Sequence, residues 1–262
     1  MKFKPQGNKW ILVCLWLASL FLMCETHLTC LAVDLPKSSS GLTAMEILAK
    51  SDQRRNGPGS GVVRTRITYY KQGKIEEQSN FDVYAKGPEK ALVKSLDPNQ
   101  RGLRVLVLGD DFWMRLPDVS KPVRITPLQR LVGQASNGDV ARTYFAADYG
   151  ATLAREEKVN GRLCALLELR AKRRGATYQR IQYWVSLEDF TPVKAEFYLL
   201  SGKNSKSAVF EEYRTFGGQR LLSKMTIYDK LAGNEKTTLE YLDIKAREIP
   251  DKYFNTNKMS DL

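Results

Sequence analysis

Histidine and cysteine, the side chains that most often act in catalytic and metal sites, are concentrated at the beginning of this 262-residue chain. The single histidine is His27, and three of the four cysteines, Cys14, Cys24 and Cys30, lie in the same N-terminal segment. Only Cys164 occurs in the remainder. That remainder has no means of forming a Ser-His-Asp triad, a Cys-His pair or an ordinary zinc cluster. Hydrolysis by paired carboxylates or by a Ser-Lys pair stays open as the weakest functional alternative.

Asp110 and Asp111 form a carboxylate pair that is a candidate for acid–base or metal chemistry. They follow Gly109 between two apolar, β-rich runs, where a turn is the common structure. No third carboxylate stands at a spacing typical of metal ligands. We therefore predict no catalytic residues, no metal and no other cofactor. Cys164 lies in the strand pattern RLCALLELR, and we expect it to be a small buried hydrophobic residue.

The N-terminal segment has the order of a secretory signal peptide. Three lysines precede the uncharged residues 10–23, and the tripeptide Cys-Leu-Ala that ends at Ala32 follows. The apolar run has about 14 residues, which is shorter than the roughly 20 that a membrane-spanning helix needs. We predict cleavage after Ala32, which gives a signal peptide 1–32 and a single mature domain 33–262 in the periplasm.

Cysteine usage agrees with this compartment. The mature chain would keep only Cys164, so it would have no internal disulfide and would be held by its core. A lipoprotein leader is the alternative, with Cys24 or Cys30 as the lipidated residue. Such a cysteine follows a small residue, whereas Cys24 follows Met23 and Cys30 follows Thr29. We therefore favour secretion without lipidation.

The chain is strongly basic. Its formal charge is +12, of which the leader contributes three lysines and one glutamate, so residues 33–262 carry about +10. For an exported protein, attraction to anionic lipid headgroups or to an acidic partner at the membrane is a better explanation than nucleic acid, which we do not expect as a partner. The local cluster of Arg170, Lys172, Arg173 and Arg174 is expected to be a solvated hairpin end.

One helix and a long series of strands account for most of the mature chain. Residues 42–55 have apolar residues at helical spacing, with Thr43 and Glu46 as a capping box. Beyond this helix the period changes to two, and turns separate about 11 strands, with Asn160-Gly161 as the strongest hairpin signal. No strand alternates with a helix, so we predict a mainly β, antiparallel fold.

A long irregular segment interrupts the strands. Residues 117–142 contain three prolines and two glycines, which are too many for a regular element, although a helix is expected after Asn137 or Asp139. Loops of this length in compact domains usually serve as lids or binding segments.

Apolar residues repeat on one face of the later strands, and polar residues repeat on the other. An ordinary closed core explains this alternation. The shortage of covering elements favours instead a cavity for an apolar ligand, because only one amphipathic helix and one long loop are available. Trp113 and Met114 would offer it large, adaptable contacts. The candidate cavity residues are Trp113, Met114, Leu163, Leu167, Leu169, Tyr183, Val185, Phe197, Leu199 and Met225.

One block of the sequence resembles a known family. It covers residues 103–149 and reads LRVLVLGDDFWMRLPDVSKPVRITPLQRLVGQASNGDVARTYFAADY. It is similar to the outer-membrane lipoprotein-sorting family, the LolA-like periplasmic carriers often found beside RND-type membrane exporters. The strand pattern and the helix at 42–55 extend the resemblance over most of the mature chain. It implies a curved antiparallel sheet that forms an incomplete, half-open barrel of the LolA and LppX type, with a few helices as its lid.

The resemblance also implies a function. The concave apolar face would shelter lipid or lipoprotein acyl chains on their way toward the outer membrane, with an RND-type exporter as a candidate partner. We expect a monomer without enzymatic activity. The alternative is a periplasmic adaptor that docks on an envelope export complex and carries nothing, with Trp113, Pro117 and Pro122 as its binding surface.

Overall fold

A computed structural model describes residues 37–259 of the chain, except Pro58, Ser120 and Ala232. The predicted signal peptide lies outside the described residues. The elements in chain order are α1 (Ala44–Arg55), β1 (Ser60–Lys71), β2 (Lys74–Lys86), β3 (Lys90–Ser95), β4 (Arg104–Leu108), β5 (Asp111–Arg115), β6 (Val123–Ile125), β7 (Arg130–Val132), β8 (Ala135–Ser136), α2 (Asn137–Ala141), α3 (Phe145–Asp148), β9 (Tyr149–Val159), β10 (Arg162–Ala171), β11 (Arg180–Ser186), β12 (Pro192–Tyr198), β13 (Asn204–Phe216), β14 (Gln219–Asp229) and β15 (Glu235–Ala246).

Thirteen of the strands form one antiparallel sheet in the order β6-β5-β4-β3-β2-β1-β15-β14-β13-β12-β11-β10-β9. The sheet is curved and does not close, so β6 and β9 are its two edges. The prediction of a mainly β, half-open antiparallel sheet is confirmed. Within the described residues, no helix is both long and apolar enough to cross a membrane.

The predicted count of about 11 strands was too low for this sheet. The two strands that the sequence pattern missed are β3, with six residues, and β6, with three. In β3 the consecutive residues 91–93 are all apolar and all buried, so the strand shows no two-residue period, while β6 is very short and has prolines on both sides. These segments become strands because β3 pairs with β2 and β4 and because β6 pairs with β5.

Helix α1 covers part of the concave face of the sheet, as its sequence predicted. The Thr43 hydroxyl accepts from Glu46 N–H, and the Glu46 carboxylate accepts from Thr43 N–H, so the capping box is complete. Ile47 and Leu48 are fully buried in the main hydrophobic core, which lies between this helix and the sheet. The helix ends at Arg55, before Asn56.

The convex face is not uniformly polar. Leu92 and Leu106 form a small core there with Ile249, Phe254 and Met259 of the C-terminal segment. A second patch contains Cys164, Leu166, Trp184 and Val193. Cys164 is completely buried in it, which confirms the expectation of a buried hydrophobic residue.

The segment between β6 and β9, residues 126–148, crosses the concave face, and we call it the lid. It contains the small β7–β8 hairpin and the helices α2 and α3. Helix α2 begins at Asn137, capped by the Ser136 hydroxyl, which accepts from Asp139 N–H; the predicted helix is present and starts one residue before the earlier of the two predicted positions. Val132, Ala135, Val140 and Phe145 are buried in the main core, so the lid contributes to the fold as well as covering it.

At Gly138 the lid packs closely against Thr177, in the connection between β10 and β11. A Cβ at Gly138 would lie 2.1 Å from Thr177 Oγ1. We predict that Gly138→Ala lowers the free energy of unfolding by about 1–3 kcal/mol, because the lid must move away from Thr177. Urea denaturation measures this change. Gly150→Ala is the matched control, since a Cβ there meets nothing within 4 Å. Adding Thr177→Ala should recover part of the loss; equal losses in both glycine variants would contradict the close approach.

Candidate functional site

Two adjoining spaces lie between the lid and the concave face of the sheet. The larger one, which we call the outer cleft, contains about 690 Å³ including space open to solvent. Its walls are Arg55, Asn56, Gly57, Gly61, Val62, Val63, Thr65, Val83, Ala85, Gly87, Val140, Ala141, Thr143, Tyr144, Tyr241 and Ile244. The outer cleft therefore lies between the end of α1, the α2–α3 connection and strands β1, β2 and β15.

The second space, the inner pocket, contains about 370 Å³ on the same basis. Its walls are Arg55, Gly138, Asp139, Arg142, Thr143, Phe145, Thr177, Tyr178, Phe197, Phe210, Met225 and Tyr241. Arg55, Thr143 and Tyr241 line both spaces, so the two adjoin at these residues. We call the outer cleft and the inner pocket together the interior cavity.

The walls of the interior cavity expose more apolar than polar surface, although Arg55, Asp139 and Arg142 also line the inner pocket. In the inner pocket, the rings of Tyr178 and Phe197 lie 4.4 Å apart, and Met225 is beside Tyr241. Burial raises the pKa of Tyr241 to about 12, so its phenol is neutral at physiological pH. A lining of this kind makes few directional demands and suits a flexible apolar ligand.

Two of the ten candidates predicted from the sequence, Phe197 and Met225, line the inner pocket. Others belong to the main core without lining either space: Met114, Leu167, Leu169, Tyr183 and Val185. Leu163 is 44% exposed near the start of β10, and Leu199 is half-buried just beyond the end of β12. The structure thus brings part of the predicted set together beneath the lid.

Trp113 lies on the opposite side of the sheet from the other candidates. It packs against the convex core of Leu92, Leu106 and the C-terminal segment, with the Arg124 guanidinium carbon 5.7 Å from its ring centroid. Met114, the next residue of β5, is buried in the main core. The expectation that both face one cavity was wrong, because consecutive side chains of a strand point to opposite faces.

The sequence analysis missed several residues that line the interior cavity. Phe210 in β13 and Tyr241 in β15 carried only a weak signal: each lies two residues after a buried apolar residue, but each also has an apolar neighbour that breaks the alternation. Arg55 carried none. A basic residue in the last turn of a helix is expected to face solvent and offset the helix dipole, yet Arg55 is buried.

Arg55 is buried because it binds the lid. Its guanidinium donates a hydrogen bond to the Thr143 carbonyl and stacks on Phe145, with its central carbon 3.6 Å from the ring centroid. Asn56 donates to the same Thr143 carbonyl at 3.1 Å. The end of α1 therefore holds the connection between α2 and α3 at the place where the outer cleft meets the inner pocket.

Asp52, one turn earlier in α1, holds the beginning of α3. Its carboxylate accepts from Ala146 N–H at 2.7 Å, and so it serves α3 as a cap in place of Tyr144, whose side chain makes no capping bond. Burial raises the pKa of Asp52 to about 6, although Arg55 and the bonded backbone N–H groups of the lid act in the opposite direction.

A second buried contact fixes the other side of α3. Arg142 donates to both oxygens of Asp148, at 2.5 and 2.7 Å, and its guanidinium also donates to the Gly109 carbonyl. Both side chains are almost fully buried. The lid is thereby bound to the β4–β5 turn as well as to α1.

The β4–β5 turn is also in contact with the basic cluster at the β10–β11 connection. Arg173 donates to Asp110 and to Glu89, at 3.1 and 2.8 Å, so it bridges distant parts of the sheet. The expectation of a purely solvated hairpin end was wrong for Arg173. Asp110 lies in the predicted turn, and within the described residues no group of three His, Cys, Asp or Glu side chains could hold a metal ion.

Known proteins resemble this chain in sequence and in fold. A protein-family model described as an uncharacterized protein matches residues 87–261, and no functionally curated protein matches the chain. A solved structure of a LolA superfamily protein from Nitrosomonas europaea has 36% sequence identity and a TM-score of 0.77, covering 82% of this chain and 98% of that chain.

Two more distant structures share the fold. A DUF1329 family protein from Desulfovibrio piger has 21% identity and a TM-score of 0.69, covering 81% of this chain and 95% of its own. A domain assigned as an outer membrane lipoprotein-sorting protein from Vibrio parahaemolyticus has 18% identity and a TM-score of 0.71, covering 83% and 98%. At these identities the likeness shows the fold alone.

Asp52 makes the stability of the lid pH-dependent. A buried carboxyl whose pKa rises from 3.8 to about 6 on folding binds its proton more tightly in the folded state. Between these two pH values the free energy of unfolding therefore falls as the pH rises, by about 2–3 kcal/mol for this group. Asp52→Asn removes the titration. We expect the stability difference between wild type and Asp52→Asn to change by that amount between about pH 4 and pH 7; parallel pH profiles in urea denaturation would contradict it.

Proposed function

Because this chain belongs to the LolA superfamily, we propose that it is a periplasmic carrier that shelters an acyl chain of a lipid or lipoprotein in the interior cavity. The observation that carries the proposal is the apolar inner pocket, which adjoins a solvent-accessible cleft beneath a lid. The described residues offer this site no metal cluster, and its charged wall residues, Arg55, Asp139 and Arg142, are engaged in bonds that hold the lid. We therefore propose a binding protein without enzymatic activity.

Binding would rest on burial of methylene groups. Each one removed from water contributes about 0.8 kcal/mol, without a requirement for hydrogen bonds. Both spaces are small once the part open to solvent is left out, about 60 Å³ in the outer cleft and about 20 Å³ in the inner pocket, so the lid would have to move away from the sheet to admit an acyl chain. In the inner pocket, Phe197, Phe210 and Met225 would contact the acyl chain. Nearer the solvent, Val83 and Ile244 would contact it.

Release would require the lid to move. The lid is attached to α1 through Asp52, Arg55 and Asn56, which bind its backbone around residues 143–146. These bonds are few and polar, so they can exchange for water when the connection between α2 and α3 lifts from the end of α1. Movement there would widen the passage at which the outer cleft and the inner pocket meet.

The cellular setting belongs to the same proposal. A signal peptide 1–32, cleavage after Ala32 and a single carrier domain 33–262 would place the protein in the periplasm, where it would act as a monomer. Transfer toward the outer membrane would need a donor, and an RND-type exporter is our proposed partner on the strength of the family resemblance. N-terminal sequencing of the exported form should give Val33 as its first residue.

An adaptor that docks on an envelope complex is the second candidate function. Its support is a group of exposed apolar residues around the edge strand β6, namely Leu116, Val119, Val123 and Leu128, which are 38–48% exposed. A photo-crosslinker at Val123 should label lipid or nothing if the protein is a carrier, and a specific protein if it is an adaptor.

The carrier proposal predicts that filling the outer cleft weakens uptake. Ala141→Trp places a large side chain in the cleft wall, and the loss of space for two methylenes should weaken binding of a fluorescent fatty acid about tenfold or more. Ala147→Trp is the matched control, because Ala147 is also half-buried in a lid helix but lines neither space. Fluorescence titration measures both, with melting temperatures to confirm folding. Equal affinities in the two variants would contradict binding in this cavity.

A further inference from the structure

Three neighbouring hairpin tips at one end of the sheet each expose a large aliphatic side chain. The tips connect β1 to β2, β12 to β13 and β14 to β15, and these six strands are consecutive in the sheet. The exposed side chains are Ile75 at 59%, Leu200 at 87% and Leu231 at 52%. We call the three tips, residues 71–76, 199–204 and 229–236 without Ala232, the hairpin rim.

Single exposed aliphatic residues are common on protein surfaces and need no explanation. The hairpin rim differs because its three exposed aliphatic residues lie on neighbouring hairpin turns at the same end of the sheet. None of them contributes to a hydrophobic core of the described residues. A set of apolar tips at one end of a sheet is suited to contact with a broad surface rather than with a narrow groove.

Lysines accompany the aliphatic residues on every tip. Lys71 and Lys74 flank the β1–β2 turn, Lys203 follows Leu200, and Lys230 and Lys236 lie on either side of the β14–β15 turn, all of them exposed. The same segments contain three acidic residues. Two of these are engaged by other groups, which leaves the outward charge of the rim positive.

The engaged acids are Asp229 and Glu235. Asp229 accepts from Leu231 N–H at 2.5 Å and lies 3.8 Å from an Arg130 nitrogen of the lid. Glu235 accepts from the Gln134 side chain, also of the lid, at 2.6 Å. Glu76 is exposed and offsets one of the five lysines.

We propose that the hairpin rim docks the protein on an anionic lipid bilayer. Ile75, Leu200 and Leu231 enter the region between headgroups and acyl chains, and the lysines bind lipid phosphates, which is the pairing of apolar and basic residues that holds peripheral proteins at membranes. The net positive charge of the rim favours an anionic partner. Three separate tips at one end of the sheet fit a broad bilayer surface better than a protein groove, which would have to be shaped to accept all three.

Docking at the rim would bring the bilayer close to the lid. Gln134 N–H donates to Thr237 Oγ1 of β15 at 2.8 Å, and Gly133 lies against Tyr69 of β1, so the β7–β8 turn rests on the strands that carry two of the tips. This role is additional to carriage in the interior cavity, and it holds whether or not the cavity binds an acyl chain.

Vesicle flotation tests the proposal. The chain is expressed in an exporting host, and all variants are checked to have the same N-terminus, so that any contribution of that segment to vesicle binding cancels. Vesicles of phosphatidylcholine with phosphatidylglycerol should carry the wild type upward. Combined Ile75→Ser, Leu200→Ser and Leu231→Ser should lower the partition coefficient about tenfold or more, since three aliphatic contacts are lost.

The controls distinguish binding through the hairpin rim from nonspecific adsorption to vesicles. Leu163→Ser removes a residue that is 44% exposed at the other end of the sheet, and it should leave vesicle binding unchanged. Combined Lys74→Gln, Lys203→Gln and Lys230→Gln should weaken binding to anionic vesicles. Salt at about 1 M should do the same, because it screens the attraction between the lysines and the lipid phosphates. Equal flotation of the serine variant and wild type, or no preference for anionic over pure phosphatidylcholine vesicles, would overturn the proposal. Fatty acid uptake by the serine variant should stay normal, which keeps this test independent of the cavity.

Discussion

The apolar concave face of the sheet has to be covered, and the rest of the structure depends on how this is done. In the part of the chain that the structure describes, α1 and the lid lie against that face. The lid is irregular, so its backbone groups need partners wherever it is buried. Asp52, Arg55 and Asn56 supply those partners from α1 around residues 143–146, and they fix the lid at the place where the two interior spaces adjoin.

This arrangement explains why a cavity exists at all. A lid of two short helices and a small hairpin cannot match the surface of a curved sheet as closely as a second sheet would, and the remaining gaps form the outer cleft and the inner pocket. Burial of Ile47 and Leu48 anchors α1, whereas the lid combines four buried apolar side chains with buried polar bonds to α1 and to the β4–β5 turn. The fold thus combines a sheet and helix packed through apolar side chains with an irregular cover whose backbone is held at a few defined polar contacts.

Much of the fold could be predicted from the sequence, and the site only in part. The capping box at Thr43 and the two-residue period of the long strands identified α1 and most of the sheet, because both signals are local. Trp113 was assigned to the cavity because a large aromatic side chain suits an apolar ligand. The alternation of side chains along β5 places it instead on the convex face of the sheet. Arg55 and Asp52 could not have been found, since a charged residue on a helix reads as solvated until its partner, here the distant lid, is known.

The most direct measurement of the central claim is to map where an acyl chain binds. The protein is irradiated with a fatty acid that carries a diazirine near the end of its chain, and the labelled residues are identified by mass spectrometry. Carriage beneath the lid predicts labels on the inner pocket, around Phe197, Phe210 and Met225, and their loss on competition with unlabelled fatty acid. Labels confined to exposed residues, or labels that do not compete, would contradict it.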